Sequence, residues 1–273
     1  MAKPFVVSGQ QVMITGASSG IGLAFAHAFA RRGAHLVLVA RSEQVLNTLC
    51  QTLSEQYAIK AIAIAADLSV VGASAQVYAK VSALGFTPTV LVNNAGFATY
   101  GRFEQVVLDR QRDEILLNCM AVVEMSHLAL PAMIQRQHGA IINVASTAAL
   151  QPDPYMAIYG ATKAFVLSFS EALWAENLDT GVRVLALCPG STETAFFEVV
   201  NAAEASVGKR MSAEAVVAIA FKALASNQNY VIAGWMNWLL GQLYRFFPRW
   251  LTLKIARQIL KPRSTRAASS SSP

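Results

Sequence analysis

Tyr159 and Lys163 lie four residues apart in the stretch YGATK. On a helix that spacing is slightly more than one turn, so both side chains share a face with Cβ atoms roughly 5–6 Å apart. An ammonium beside a phenol favours the phenolate, so the pairing predicts a tyrosine pKa lowered from its reference of about 10 and a proton-exchanging group. The same spacing also occurs on ordinary solvated helix faces, so the neighbouring sequence has to decide. Near the start of the chain, TGASSGIG at 15–22 joins an apolar stretch to an amphipathic one. Gly16 lets the backbone turn sharply, while Gly20 and Gly22 permit close approach at a helix N-terminus, where free N–H groups and the helix dipole favour phosphate. With Ser18, Ser19 and Ile21 among them, these glycines fit the pyrophosphate of a dinucleotide. Arg41 ends the next apolar run, about twenty residues further on, where an acid would bind the ribose hydroxyl of NAD and an arginine the 2′-phosphate of NADP. Arg41 therefore argues for NADP(H) over an ordinary exposed charge.

These residues need a scaffold. Aliphatic runs at 11–15, 34–40, 60–66, 89–95, 139–145, 182–188 and 229–235 alternate with helical patterns near 20–32, 42–56, 72–84, 109–136, 156–180 and 212–226. Strands that are apolar throughout are buried on both faces of a parallel sheet. The rhythm predicts an α/β fold: a doubly wound, mostly parallel, seven-stranded Rossmann-like sheet flanked by helices, with ligands at the carboxyl ends of the strands. Residues 1–235 read as one Rossmann-like catalytic domain, 236–262 as an apolar and basic helical extension, and 263–273 as a disordered tail.

The chain resembles the short-chain dehydrogenase/reductase family over about residues 8–235, because seven motifs occur in the family's order: TGASSGIG at 15–22, Asp67-Leu68, NNAG at 93–96, Asn118, Ser146, YGATK at 159–163 and PGSTET at 189–194. The resemblance implies an enzyme in which Tyr159 is the general acid/base. It implies that Lys163 lowers the tyrosine pKa and binds the nicotinamide ribose, that Ser146 orients the substrate oxygen, and that Asn118 holds a water linking Lys163 to solvent. It also suggests Asp67 and Leu68 at the adenine, Asn93 near the adenosine ribose and Thr194 at the nicotinamide carboxamide. Each has a plainer alternative: Asp67 as a helix cap, Asn93 as a brace between strand ends, Thr194 as an N-cap. Thr192 departs from the family, which more often carries an aliphatic there. The hydride belongs to the cofactor, and the protein supplies position and proton.

Of the 273 residues, 54% are hydrophobic and 14% charged, which requires a large core or a membrane contact. Cys50, Cys119 and Cys188 lie far apart within apolar sequence, so neither a disulfide framework nor a metal cluster is expected. His27, His35, His127 and His138 are dispersed and read as structural or surface residues. No apolar run before the first strand is long enough for a signal peptide, so a cytoplasmic location is expected. The net charge of +6 is uneven: no acid follows Glu214, whereas Lys222, Arg245, Arg249, Lys254, Arg257, Lys261, Arg263 and Arg266 do. The absence of a nucleic-acid motif argues against DNA or RNA as partner. Residues 235–261 mix tryptophans, aliphatics and cations around Pro248. Val231–Leu243 falls short of the ~20 apolar residues that span a bilayer. The segment suits the interface of an anionic membrane, or packs back as a pocket lid or dimer surface. Residues after Ser146, Tyr155, Met156 and the loop containing Phe196 and Phe197 would frame a small lipophilic carbonyl or alcohol substrate. A 3-oxoacyl thioester, a sterol or a retinoid also fits, a non-catalytic NADP(H) sensor is the reading from another class, and a homo-oligomer is expected from the resemblance.

Overall fold

The computed structural model describes residues 5–194, 210–243 and 246–262. Within them seven parallel strands form one sheet in the order β3-β2-β1-β4-β5-β6-β7. The strands are β1 (Gln11–Thr15), β2 (His35–Ala40), β3 (Ala61–Ala65), β4 (Val90–Asn93), β5 (Gly139–Val144), β6 (Val182–Cys188) and β7 (Tyr230–Ile232). The helices are α1 (Gly20–Ala30), α2 (Glu43–Tyr57), α3 (Ala73–Ala83), α4 (Leu108–Ile115), α5 (Ala121–Gln135), α6 (Ala157–Glu176), α7 (Ala213–Ala225), α8 (Trp235–Leu243) and α9 (Arg249–Ile259). The chain order steps outward from β1 in both directions, which leaves a crevice at the carboxyl ends of β1 and β4.

The unbroken apolar strands are explained by two cores. Ile14, Leu36, Leu38, Val92 and Ile142 face one side with α1, α2 and α7, while Met13, Val37, Val39, Leu91 and Ile141 face the other with α3 and α5. Burying each such side chain is worth about 1.5–3 kcal/mol. The segment Leu108–Gln135 has the length and composition to cross a membrane, but Met125, Ala129 and Met133 are fully buried against the sheet, as in a core helix.

Several boundaries differ from the sequence expectation, and three of them have a visible local cause. The helix expected over 109–136 is interrupted by a π-turn, Leu116–Met120, in which the Ala121 amide reaches back to the Leu116 carbonyl. Strand β4 stops at Asn93 because the amides of Asn94 and Ala95 turn away to the Thr15 hydroxyl, 3.0 Å each. Strand β7 stops at Ile232 because Gly234 takes a φ of +95° and α8 begins at Trp235.

Candidate active site

The turn between β1 and α1 is a cradle that side chains would fill. Gly16 has a φ of +64°, and a Cβ there would lie 2.8 Å from Ala95 Cα. A Cβ on Gly22 would lie 2.2 Å from the Gly16 carbonyl oxygen. Thr194 sits over Gly20, its Cγ2 3.0 Å from the point where a side chain would begin. Asn94, which the sequence reading did not single out, locks this turn: its Nδ2 donates to the carbonyls of Thr15 and Gly16 at 3.0 Å each. Its place inside NNAG was the available signal.

Ser18, Ser19, Gly20 and Ile21 line one end of a cavity of about 1110 Å³ that also takes in Arg41, Asp67 and Leu68. Burial works against ionisation of Asp67, but two hydrogen bonds from Ser69, at 3.0 and 2.6 Å, and the charges of Arg41 and Arg110 hold its pKa below the usual carboxylate value. Arg110 was also not foreseen; its guanidinium stacks 4.2 Å from the Phe97 ring centroid. The glycine cradle, the α1 N-terminus and Arg41 fit a dinucleotide with a phosphate on its adenosine ribose.

Asn93 departs from its expected place near the ribose. Its buried Nδ2 donates to Asn143 Oδ1 at 2.8 Å and to Ser126 Oγ at 3.1 Å, and Asn143 continues the chain to Ser170 Oγ at 2.9 Å. The side chain is spent bracing β4 against β5, which is the plainer alternative, and the cavity wall is made by Asn94, Ala95 and Gly96 instead.

At the middle of the cavity the four remaining residues converge. Ser146 follows β5 and caps a short 3₁₀ turn, accepting the Ala148 amide at 3.1 Å. Tyr159 projects from the first turn of α6 and hydrogen-bonds Ser146. Lys163, one turn on, donates from Nζ to the Val144 carbonyl at 2.8 Å and lies 5.7 Å from the Tyr159 ring centroid. Asn118 stands on the π-turn, giving Nδ2 to the Phe97 carbonyl at 2.9 Å and to Thr162 Oγ1 at 3.1 Å, while its Oδ1 accepts the Phe97 amide. Gly96 leaves a gap between Asn118 Oδ1 and Lys163 Nζ.

The expected lowering of the tyrosine pKa is reversed. Burial pushes Tyr159 up to about 12, against the Ser146 hydrogen bond and with the help of Asp153 and Glu114, and it pushes Lys163 down to about 8. Withdrawal from water disfavours the charged form of both groups. Asp153, in the same cavity, is raised to about 6 by burial.

The far side of the cavity is the C-terminal extension. Met236, Leu240, Gly241, Ala256, Ile259 and Leu260 line it, and the Leu260 carbonyl accepts the Tyr100 hydroxyl at 2.8 Å. Leu150 and Met156 complete the apolar wall, whereas Tyr155, with a φ of +66°, faces an adjoining cavity of about 330 Å³. Thr192, the departure from the family pattern, is buried, donates to the Gly190 carbonyl at 3.0 Å and pairs its backbone with Met211. Phe196, Phe197 and the tail 263–273 lie outside the described residues. No group of metal ligands occurs among the described residues; His138 stacks on Phe5, and His35 Nδ1 accepts the Lys60 amide.

This fold and this site define a dinucleotide-binding oxidoreductase of the short-chain type, and the model of that family, described as short chain dehydrogenase, matches residues 10–205. The chain belongs to that family. It is 31% identical to the very-long-chain 3-oxoacyl-CoA reductase of Mus musculus over 256 residues, 90% of this chain and 78% of the relative. A short-chain dehydrogenase from Sphingobium yanoikuyae, solved in complex with NADPH, is 32% identical with a TM-score of 0.79 and covers 96% of this chain and 100% of its own. The bulky-bulky ketone specific alcohol dehydrogenase from Comamonas testosteroni is 30% identical, with a TM-score of 0.74 and full coverage of both chains.

Proposed function

We propose that the protein is an NADP(H)-dependent oxidoreductase that interconverts a lipophilic ketone and its secondary alcohol, with Tyr159 as general acid or base. The observation that carries this reading is the continuity of one cavity from the glycine cradle, past Tyr159 and Ser146, to an apolar roof. The NADPH bound by the Sphingobium relative and the ketone specificity of the Comamonas one support it. When bound, the reduced nicotinamide supplies the hydride. Ser146 holds the substrate oxygen beside the Tyr159 hydroxyl. A phenol kept protonated by burial suits donation to a developing alkoxide, and the Lys163 ammonium one turn away stabilises the phenolate left behind. Asn118 and the gap at Gly96 suit a water that returns the proton from solvent. Replacing Tyr159 by Phe tests the assignment: turnover of NADPH with a ketone is expected to fall at least ~100-fold, with cofactor affinity kept. Unchanged biological activity in this variant would favour a non-catalytic NADP(H) sensor.

A 3-oxoacyl thioester is the second substrate reading, supported by the mouse relative, a very-long-chain 3-oxoacyl-CoA reductase, and by the long roof. The outer face of that roof supports a peripheral membrane contact. Trp235, Trp238, Phe246 and Trp250 are 73%, 52%, 82% and 60% exposed, beside Arg249, Lys254, Arg257 and Lys261 and with no acid in α8 or α9. Such a face suits an anionic lipid interface, and its like charge opposes pairing with a second copy through it, so a homo-oligomer would use another surface.

A further inference from the structure

The two helices of the roof are fastened differently. Helix α8 is keyed into the body: a Cβ on Gly241 would lie 2.7 Å from Leu150 Cδ1, and one on Gly190 would lie 2.4 Å from Asn237 Nδ2. That Nδ2 donates to the Ala233 carbonyl at 2.7 Å. Helix α9 starts afresh after Pro248, whose ring fixes its φ and removes a donor. It buries Ala256 and Leu260, while Trp250, Ile255 and Ile259 stay more than half exposed. Among the described residues, the hydrogen bond that ties α9 to the sheet domain runs from the Tyr100 hydroxyl to the Leu260 carbonyl, at 2.8 Å. Leu260 is the C-cap of α9, and its carbonyl is one of those that a helix end leaves without an internal partner.

Tyr100 is held firmly from its own side. The Phe97 amide and carbonyl are bonded by Asn118 at 3.2 and 2.9 Å, the Thr99 amide and hydroxyl by Glu114 at 3.0 and 2.6 Å, and the Gly101 amide by the Tyr155 carbonyl at 2.9 Å. The Tyr100 ring packs on the buried cluster of Ala98, Met156 and Tyr159. A fixed catch thus meets a lightly held helix. That helix borders both cavities: Ala256, Ile259 and Leu260 line the larger one, and Arg257 lines the smaller with Thr99 and Gly101. A nucleotide on the glycine cradle would occupy the other end of the larger cavity, and α9 covers the end left for substrate.

We infer that Tyr100 is the latch of a lid: α9 swings off the cavity when the Tyr100–Leu260 hydrogen bond parts, and a long-chain ketone enters and leaves by that opening. The ketone rests on the function proposed above; the latch does not. Because the latch closes over the empty and the filled cavity alike, its strength cancels from the affinity for substrate and appears in the rates.

Tyr100→Phe removes the hydroxyl and keeps the ring on Ala98 and Met156. Losing one neutral hydrogen bond is expected to open α9 roughly 2- to 10-fold more often. A helix of 11 residues lifted from its support frays, so hydrogen exchange of the α9 amides in the free protein should quicken by that factor while α8 is unchanged. Ketone traffic is read in the NADP⁺ complex, where no hydride can pass, by stopped-flow fluorescence of the tryptophans, of which Trp235 lines the cavity. Methyl nonyl ketone should enter and leave faster by a similar factor, with its Kd unmoved. Unchanged α9 exchange in Tyr100→Phe overturns the latch, and faster exchange with unchanged ketone rates overturns the route. A weaker Kd carried by the exit rate alone would make Tyr100 a contact of the bound ketone and overturn the lid as well. Faster α9 exchange in a protein that binds no ketone would keep the latch and remove the ketone reading instead.

Discussion

The nucleotide wall of the cavity and its C-terminal roof meet at Tyr159 but are built by opposite means. The wall is backbone: the turn from Thr15 to Gly22, braced by Asn94 Nδ2 on the Thr15 and Gly16 carbonyls at 3.0 Å each, leaves no room for a side chain at Gly16 or Gly22. The roof is side chain: α8 and α9 lay Leu240, Ile259 and Leu260 on the cavity and leave their outer faces exposed. A rigid wall suits a cofactor that does not change, and an apolar roof of two short helices suits the selection of substrate.

Four substitutions or conditions break or sharpen that contrast. Gly22→Val should have the largest effect, since a side chain 2.2 Å from the Gly16 carbonyl must displace the cradle; nucleotide titration is expected to show at least ~100-fold weaker binding, the loss of two or more charge-assisted hydrogen bonds. Arg41→Ala should cost about 10- to 100-fold in NADPH affinity, one charge-assisted pairing, and leave NADH binding almost unmoved; competitive titration of both nucleotides reads this. Leu240→Ser, on the roof, should raise KM for long-chain ketones several-fold, as one lost apolar contact predicts, while short ketones and NADPH binding stay as they were. The smallest effect concerns the outer face: the full chain should sediment with anionic vesicles at low salt and release at high salt, and indifference to vesicles would remove the membrane contact.

The wall was legible because its requirements are local. Glycines in a strand-to-helix turn, an arginine after the second strand and a Tyr-Lys pair on one helix turn are short-range patterns with few physical alternatives. All seven strands were likewise visible as apolar runs. Asn93 was misplaced because one buried asparagine serves equally well at a ribose or between two strands, and only the partners Asn143 and Ser126 distinguish them. The direction of the Tyr159 shift depends on burial, which spacing does not report. Glu114, whose charge bears on Tyr159, was overlooked because it is one of three acids in the charged stretch LDRQRDEI, most of whose residues are solvated. The roof was left between membrane and lid because a helix with apolar residues on both faces serves both, and here the inner face lines the cavity.

The most direct test of the central claim is NADPH oxidation by the wild-type protein across a series of aliphatic ketones of increasing chain length. A kcat/KM that rises with chain length until the apolar roof is filled, and is lost in Tyr159→Phe, is the predicted result. Tight NADPH binding without oxidation by any ketone or 3-oxoacyl thioester would contradict it.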